Sequence, residues 1–272
     1  MHKKILFFDI DGTLMMPVNF IPESAKQALY EAKANGHKLV ICTGRSRAGV
    51  PELIEKLPFD GFICASGGYV EYEGKQVCHE TWTPEVIERF VSFAVENEIL
   101  FHLQCSGKTY VLKEQQEEID QLWQEQCRKF GFPPRSLGAI AFSRDEIKDA
   151  PDVDKAMYLT SPYTLREMQE KLPDYEVTGS SFDKEEARSG EITAHGITKA
   201  HGMKCLLYHL EMDVSDSIAY GDGPNDHEML AFAGIGVAMG NADNDLKKKA
   251  DRITTAINED GIYRSMKELN LI

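Results

Sequence analysis

No run of apolar residues in the chain approaches the roughly 18 that a membrane-spanning helix requires, so no segment is expected to cross a bilayer. Positive charge is scarce as well. Lys and Arg number 30 against 44 Asp and Glu, a formal net charge of -14. That balance argues against nucleic acid and against anionic membrane as partners, because both demand a basic face. Cysteines with metal or redox spacing are missing: the six, at 42, 64, 78, 105, 127 and 205, form no CxxC motif. In a chain of 272 residues they are expected as reduced thiols in a cytoplasmic protein, with Cys42 and Cys64 acting as small hydrophobes in strand-like runs. The eight histidines form no HExxH pair, and His195 and His201, which flank Lys199, are expected to be structural or solvated. "GKT" at 107–109 imitates the tail of a P-loop, but the position five before Gly107 is His102. "CTGR" has its arginine too close to Cys42 for a cysteine phosphatase, and no dinucleotide loop, internal repeat or low-complexity segment occurs. The start "MHKKILFFDIDG" lacks a small-residue cleavage site and is expected to be a first strand.

What is present is an ordinary globular composition, 42% hydrophobic and 27% charged, in a chain long enough for two modest cores. The first third alternates strand and helix patterns. "KILFFDI", "HKLVICTG" and "DGFICAS" are continuous apolar runs, as in buried parallel strands, with helices expected over "PESAKQALYEAKANG" and "RAGVPELIEKL". The pattern then changes. A helix over 84–97, a hairpin around Ser106-Gly107, a long helix from 114 to 130 with Ile119, Leu122 and Trp123 turned inward, the loop "GFPPRSLG" and further strands read as a separate α+β module. "GITKAHGMKCLLYHLEM", "DSIAYGDGPNDHEMLAFAG", "IGVAMG" and "DRITTAI" restore the alternation. The expected architecture is α/β: a Rossmann-like parallel sheet with helices on both faces, built from 1–81 and 189–272, with an α+β domain inserted over 82–188.

The candidate chemical groups lie where the apolar strands of the outer domain give out. Asp9 and Asp11 follow "ILFF", Thr43, Gly44 and Arg45 follow "KLVIC", and Asp222, Asn225 and Asp226 follow "DSIAYG". In open parallel sheets, ligands bind at the carboxyl ends of the strands, where residues distant in sequence can meet. If they meet, Asp9, Asp11, Asp222 and Asp226 bring four carboxylates into one crevice, and a hard divalent cation such as Mg2+ resolves the repulsion. Residues i and i+2 of an extended segment share a face, so Asp9 and Asp11 are both expected to point inward. Gly12, Gly44, Gly221 and Gly223 allow sharp turns or close ligand approach, and backbone N–H groups with the Thr43 hydroxyl can hold an anion. Lys199, at the start of an expected helix, adds positive charge. Carboxylates, metal, lysine and amide donors together suit a phosphoryl group.

In this order the pieces "DIDGT", "TGR", Lys199 and "GDGPNDHEML" resemble the haloacid dehalogenase-like phosphohydrolase superfamily. "DIDGTLMMP…KANGHKLVICTGR", "GIGVAMGNA" and "DRITTAINEDGI" are similar to its Cof-type branch, which carries a type IIB cap, over nearly all of the two outer segments. The inserted segment matches that branch in position and length only. The resemblance implies that Asp9 is a nucleophile forming an aspartyl-phosphate and that Asp11 is a general acid and base. It implies Mg2+ held by Asp9, the backbone carbonyl of Asp11 and Asp222, with Thr43, Gly44, Arg45, Lys199 and Asn225 about the phosphate. Asp226 would orient Lys199 or a metal-bound water, or join the ligands. Two positions depart from the branch: Ser66-Gly67-Gly68 stands where Asn-Gly is usual, and Ile21 replaces the usual Ser or Thr cap before Pro22.

The implied activity is hydrolysis of a small phosphorylated metabolite, such as a sugar phosphate, with the cap recognising the leaving group. A phosphotransferase or phosphomutase on the same scaffold, and a non-catalytic protein that binds a phosphate ligand, are the alternatives.

Overall fold

Ile5–Phe8, four apolar residues with no solvent exposure, form the strand about which the first unit is built. In the computed structural model, which describes residues 3–16, 20–129, 134, 136–179 and 188–272, the chain divides into two compact units. The first comprises Met1–Arg45, Gly49–His79 and Thr198–Ile272, and the second Ser46–Ala48 and Glu80–Ile197. The strands, in chain order, are β1 (Ile5–Phe8), β2 (Lys38–Cys42), β3 (Gly61–Cys64), β4 (Tyr69–Tyr72), β5 (Lys75–His79), β6 (Leu100–Cys105) and β7 (Thr109–Leu112). They continue as β8 (Ile140–Phe142), β9 (Val153–Thr160), β10 (Tyr175–Gly179), β11 (Gly190–Ala194), β12 (Ser217–Gly221), β13 (Ile235–Ala238) and β14 (Arg252–Ile253). The helices are α1 (Glu23–Ala34), α2 (Glu52–Glu55), α3 (Pro84–Glu96), α4 (Gln116–Lys129) and α5 (Leu165–Lys171), then α6 (Lys199–His209), α7 (His227–Phe232), α8 (Asn244–Lys249) and α9 (Gly261–Glu268).

The first unit holds one sheet in the order β14-β13-β12-β1-β2-β3-β4-β5. All pairs from β14 to β3 are parallel, and Phe8 lies in register with Tyr220 on one side and Ile41 on the other. Parallel pairing has a direct consequence: the carboxyl ends of β12, β1 and β2 emerge next to one another, and so do the residues that follow them. Alternation along β1 sends Leu6 and Phe8 into a cluster with α1 and α9, and Ile5 and Phe7 into a cluster with α6 and α7. Phe8 stacks on Tyr220 with ring centroids 5.1 Å apart. Burial of each such side chain contributes roughly 1.5–3 kcal/mol, so the strand that carries the site is anchored on both faces.

The α/β fold is the expected one, with three differences of detail. β4 and β5 join the sheet as an antiparallel edge hairpin, beyond the parallel strands that the βα alternation predicts. The helix expected over "RAGVPELIEKL" is divided into a single 3-10 turn, Arg47–Gly49, and the short α2. Pro51 lies between them and is the N-cap of α2, since proline has no N–H to continue a helix through it. The return to the first unit comes at Thr198, later than the boundary of 189 expected from the alternation. The reason is β11, which pairs antiparallel with both β9 and β10 and therefore belongs to the second sheet.

That second sheet runs β10-β11-β9-β6-β7-β8. β6 and β7 form the hairpin expected around Ser106-Gly107, and the helix expected over 84–97 is α3, whose N-cap Thr83 accepts from the Val86 N–H. α4 buries Ile119 and Cys127, with Leu122 and Trp123 half-buried. Half of the loop expected at "GFPPRSLG", 131–133 and 135, lies outside the described residues. Within the sheet, His102 of β6 is 1% exposed, and neither ring nitrogen has a hydrogen-bond partner among the described residues. Burial, together with the nearby Lys155 ammonium, lowers its pKa from 6.5 to about 3. The neutral ring is therefore built into the fold, and acid must protonate it at the expense of the folded state. A depressed folded-state value contributes stability above pH 6.5, lost as the pH falls towards 3. Urea unfolding of this unit should weaken between pH 7 and 5, with a slope approaching about 1.4 kcal/mol per pH unit below 6.5. His102→Met should flatten that slope; an unchanged slope would show that another group is responsible.

Candidate active site

Three neighbouring strands of the first sheet each give out into a polar turn. Asp9 follows β1, and its backbone N–H still donates to the Tyr220 carbonyl of β12 at 3.0 Å. Asp222 follows β12, and a single 3-10 turn, Pro224–Asp226, comes directly after it with Asn225 half-buried inside. Thr43 follows β2, is 1% exposed, and its hydroxyl accepts from the Arg45 N–H at 3.2 Å, with Gly44 making the turn between them. Lys199 opens α6 behind the N-cap Thr198, whose side chain accepts from the His201 N–H.

Lys199 ties these segments together. Its side chain has no exposure, and Nζ lies 2.6 Å from Asp9 Oδ1 and 2.6 Å from Asp226 Oδ1. The second oxygen of Asp226 accepts the backbone N–H groups of Asp222 and Gly223, each at 2.9 Å. Both Asp226 oxygens are thus engaged. Asp222 is held from two other directions, by the Thr13 hydroxyl at 3.0 Å and by Asn241 Nδ2 at 3.2 Å. Asn241 is itself braced, donating to the Gly12 carbonyl at 2.8 Å and accepting from the Ile257 N–H at 3.0 Å. The absence of a side chain at Gly12 is required: with φ of +91°, a Cβ there would stand 2.2 Å from Asp222 Oδ2.

Carboxylate oxygens of Asp9, Asp222 and Asp226, all three residues buried, lie within 4.8 Å of one another. Burial pushes the Asp9 carboxyl well above its usual range; Lys199 opposes this, and the neighbouring Asp226, Asp222 and Asp11 carboxylates add to it. Burial pulls the Lys199 ammonium down, but Asp226 and Asp9 more than offset that and hold it above its ordinary value. With all four groups ionised, three carboxylates and one ammonium leave two negative charges in excess. A buried donor set of oxygens with that excess fits a hard divalent cation such as Mg2+. A thiolate plays no part here. Burial pushes the Cys42 thiol up, and its Sγ donates to the Lys199 carbonyl at 3.8 Å.

Asp11 and Arg45 are arranged differently from the expectation. Arg45 grips Asp11 with two bonds, Nε to Oδ2 at 2.7 Å and Nη2 to Oδ1 at 2.7 Å, and Nη1 donates to the Gly49 carbonyl at 3.1 Å. The Asp11 carboxylate is not a member of the cluster in which Asp9, Asp222 and Asp226 oxygens lie within 4.8 Å of one another. The physical reason lies at Ile10, whose carbonyl accepts the N–H groups of Thr13, Leu14 and Met15 at 3.4, 3.0 and 2.8 Å. The chain is already turning there, and the shared face of residues i and i+2 holds only for extended backbone. Thr13 and Asn241 were not among the candidate residues. Both lie inside quoted motifs, "DIDGT" and "GIGVAMGNA", and the signal available was an uncharged polar side chain beside the acidic ones.

A haloacid dehalogenase-like hydrolase profile matches residues 6–266. The chain belongs to that family. It is an enzyme of the hydrolase class, and the matched span takes in both units. Relatives agree over full length. The chain is 31% identical over 287 residues to YkrA of Bacillus subtilis (strain 168), covering 100% of both proteins. Phosphatase YwpJ of the same organism is 27% identical over 292 residues, covering 98% of this chain and 99% of its own. Among solved structures, the subclass IIB sugar phosphatase BT4131 of this family superposes with a TM-score of 0.83 at 28% identity, covering 99% of this chain and 100% of that one.

Proposed function

We propose that this hydrolase is a Mg2+-dependent phosphatase that cleaves a small phosphomonoester, of the sugar phosphate class, through an aspartyl-phosphate on Asp9. The observation that carries the reading is the buried Lys199 bridging Asp9 and Asp226 beside Asp222, at the carboxyl ends of parallel strands. The phosphatase relatives and the sugar phosphatase of like structure support it.

Mg2+ in this site would be held by Asp9 and Asp222, and it would neutralise charge on the phosphoryl oxygens. Asp226 positions Lys199, accepting from its ammonium through one oxygen while the other holds the Asp222 and Gly223 N–H groups. An Asp9 oxygen attacks phosphorus, forming an acyl phosphate as the bond to the leaving alcohol oxygen breaks. Asp11 gives that oxygen its proton, and later takes one from the water that attacks the aspartyl-phosphate, so that inorganic phosphate departs and Asp9 is restored. For this Asp11 must release one of its bonds to Arg45, which then serves as the latch on the acid–base group. Lys199, the Thr43 hydroxyl and the turns at Gly44 and Asn225 supply donors for the phosphoryl oxygens. The second unit takes the role of the cap that recognises the leaving group.

Purified protein assayed with p-nitrophenyl phosphate and a panel of hexose phosphates should release phosphate with Mg2+, lose that activity in excess EDTA and regain it when Mg2+ is restored. Activity indifferent to chelator would sink the reading. Conversion of a hexose phosphate to its isomer without free phosphate would assign a mutase instead.

A further inference from the structure

Away from the acidic crevice, the first unit brings two thiols and an imidazole to one point. Cys205 and His201 stand four residues apart on α6, and so share one face of the helix, with Cys205 Sγ 3.5 Å from His201 Nε2. Cys78 arrives from β5, and one ligand atom from each of the three lies within 4.8 Å of the others. All three are half-buried. A thiol–imidazole hydrogen bond pairs Cys205 with His201, and a second sulfur reaches the same point from another element.

We propose that Cys78, His201 and Cys205 form a binding site for Zn2+, separate from the acidic crevice. The donor types suit it: thiolate and neutral imidazole favour a borderline-soft ion over the hard cation that the carboxylates favour. The spacing suits it as well. A tetrahedral zinc ion about 2.3 Å from sulfur and about 2.05 Å from nitrogen separates those donors by about 3.6 Å, and the Cys205–His201 pair stands at 3.5 Å. Three protein ligands leave the fourth position to a water molecule, which half-burial admits. On binding, each thiol gives up its proton to solvent and no redox change occurs. The ion ties together elements that the backbone does not pair. β5 is the edge strand of its sheet, bonded to β4 alone among the described residues, and α6 begins at Lys199. A metal clamp there fastens the free edge to the helix whose first residue enters the acidic site.

Cobalt(II) is the probe, added to the reduced full-length chain. A thiolate-to-cobalt charge-transfer band and intense tetrahedral d–d absorption are expected, both lost when a single equivalent of Zn2+ displaces the cobalt. Cys78→Ser and Cys205→Ser should each abolish the charge-transfer band or shift it strongly, and His201→Gln should weaken cobalt binding. Asp9→Asn, which weakens the acidic crevice as a metal site, should leave the band intact, so the fate of the phosphatase reading does not decide this one. Should the cysteine variants fail to fold, the wild-type chain suffices: Zn2+ should protect Cys78 and Cys205 from iodoacetamide, read by peptide mass spectrometry. No charge-transfer band in the wild type, a band retained in both cysteine variants, a band lost in Asp9→Asn, or equal alkylation with and without zinc would each overturn the proposal.

Discussion

Replacing Asp9 by Asn should lower phosphate release by about 10^4–10^6-fold, the scale on which covalent catalysts lose activity when the nucleophile is removed. Two contributions act together. The amide cannot attack phosphorus as a carboxylate does, and one of the two oxygens assigned to Mg2+ becomes a neutral donor. The fold should survive the change. Lys199 keeps Asp226 as a partner at 2.6 Å, and β1 keeps its pairing to β2 and β12, so no buried charge is left alone. Far-ultraviolet circular dichroism should match the wild type while turnover falls. A variant that is folded and retains activity within about tenfold of the wild type would remove Asp9 from the nucleophile's role.

Lys199→Met has the larger expected effect on stability. It leaves Asp9 and Asp226, 6% and 0% exposed, with no cation between them. Removing one partner of a buried pair costs about 3–5 kcal/mol, because the remaining charge stays desolvated and uncompensated. Here one lysine serves two carboxylates, so the upper end of that range is expected in urea unfolding without divalent cation. Phosphate release should also fall, since the variant loses a donor to the phosphoryl oxygens. The double variant Lys199→Met/Asp9→Asn separates the causes. Removing the Asp9 charge should recover part of the lost stability, a coupling that independent sites would not show, and it should recover none of the activity. Additive losses of stability would mean that Lys199 and Asp9 do not interact as charges in the folded protein.

Much of this fold was legible because local patterns carry it. "ILFF" and "LVIC" are unbroken apolar runs, as a strand buried on both faces requires, so β1 and β2 could be read directly. Pro22 and Gly36 bracket α1 for equally local reasons. β11 was not legible in the same way. Whether Gly190–Ala194 pairs with β9 and β10 or with the first sheet depends on partners far away in the chain. The same difficulty governs Asp11. Its spacing from Asp9 shows a shared face only if the backbone stays extended, and three N–H groups converging on the Ile10 carbonyl end the extension. Thr13 and Asn241 are not legible in the sequence because an uncharged side chain announces nothing until its partner is known, and their partner is Asp222.

By itself the sequence determined the alternation of strand and helix in the two outer segments, the acidic character of the chain and the strand ends at which charged residues stand, since all of these follow from short-range pattern and composition. Only the tertiary structure decided which charges meet: that Lys199 lies between Asp9 and Asp226, that Asp11 is held by Arg45, and that Cys78 reaches His201 and Cys205. Strand order, sheet register and helix rotation set the distance between residues remote in sequence, and spacing along the chain carries no record of them.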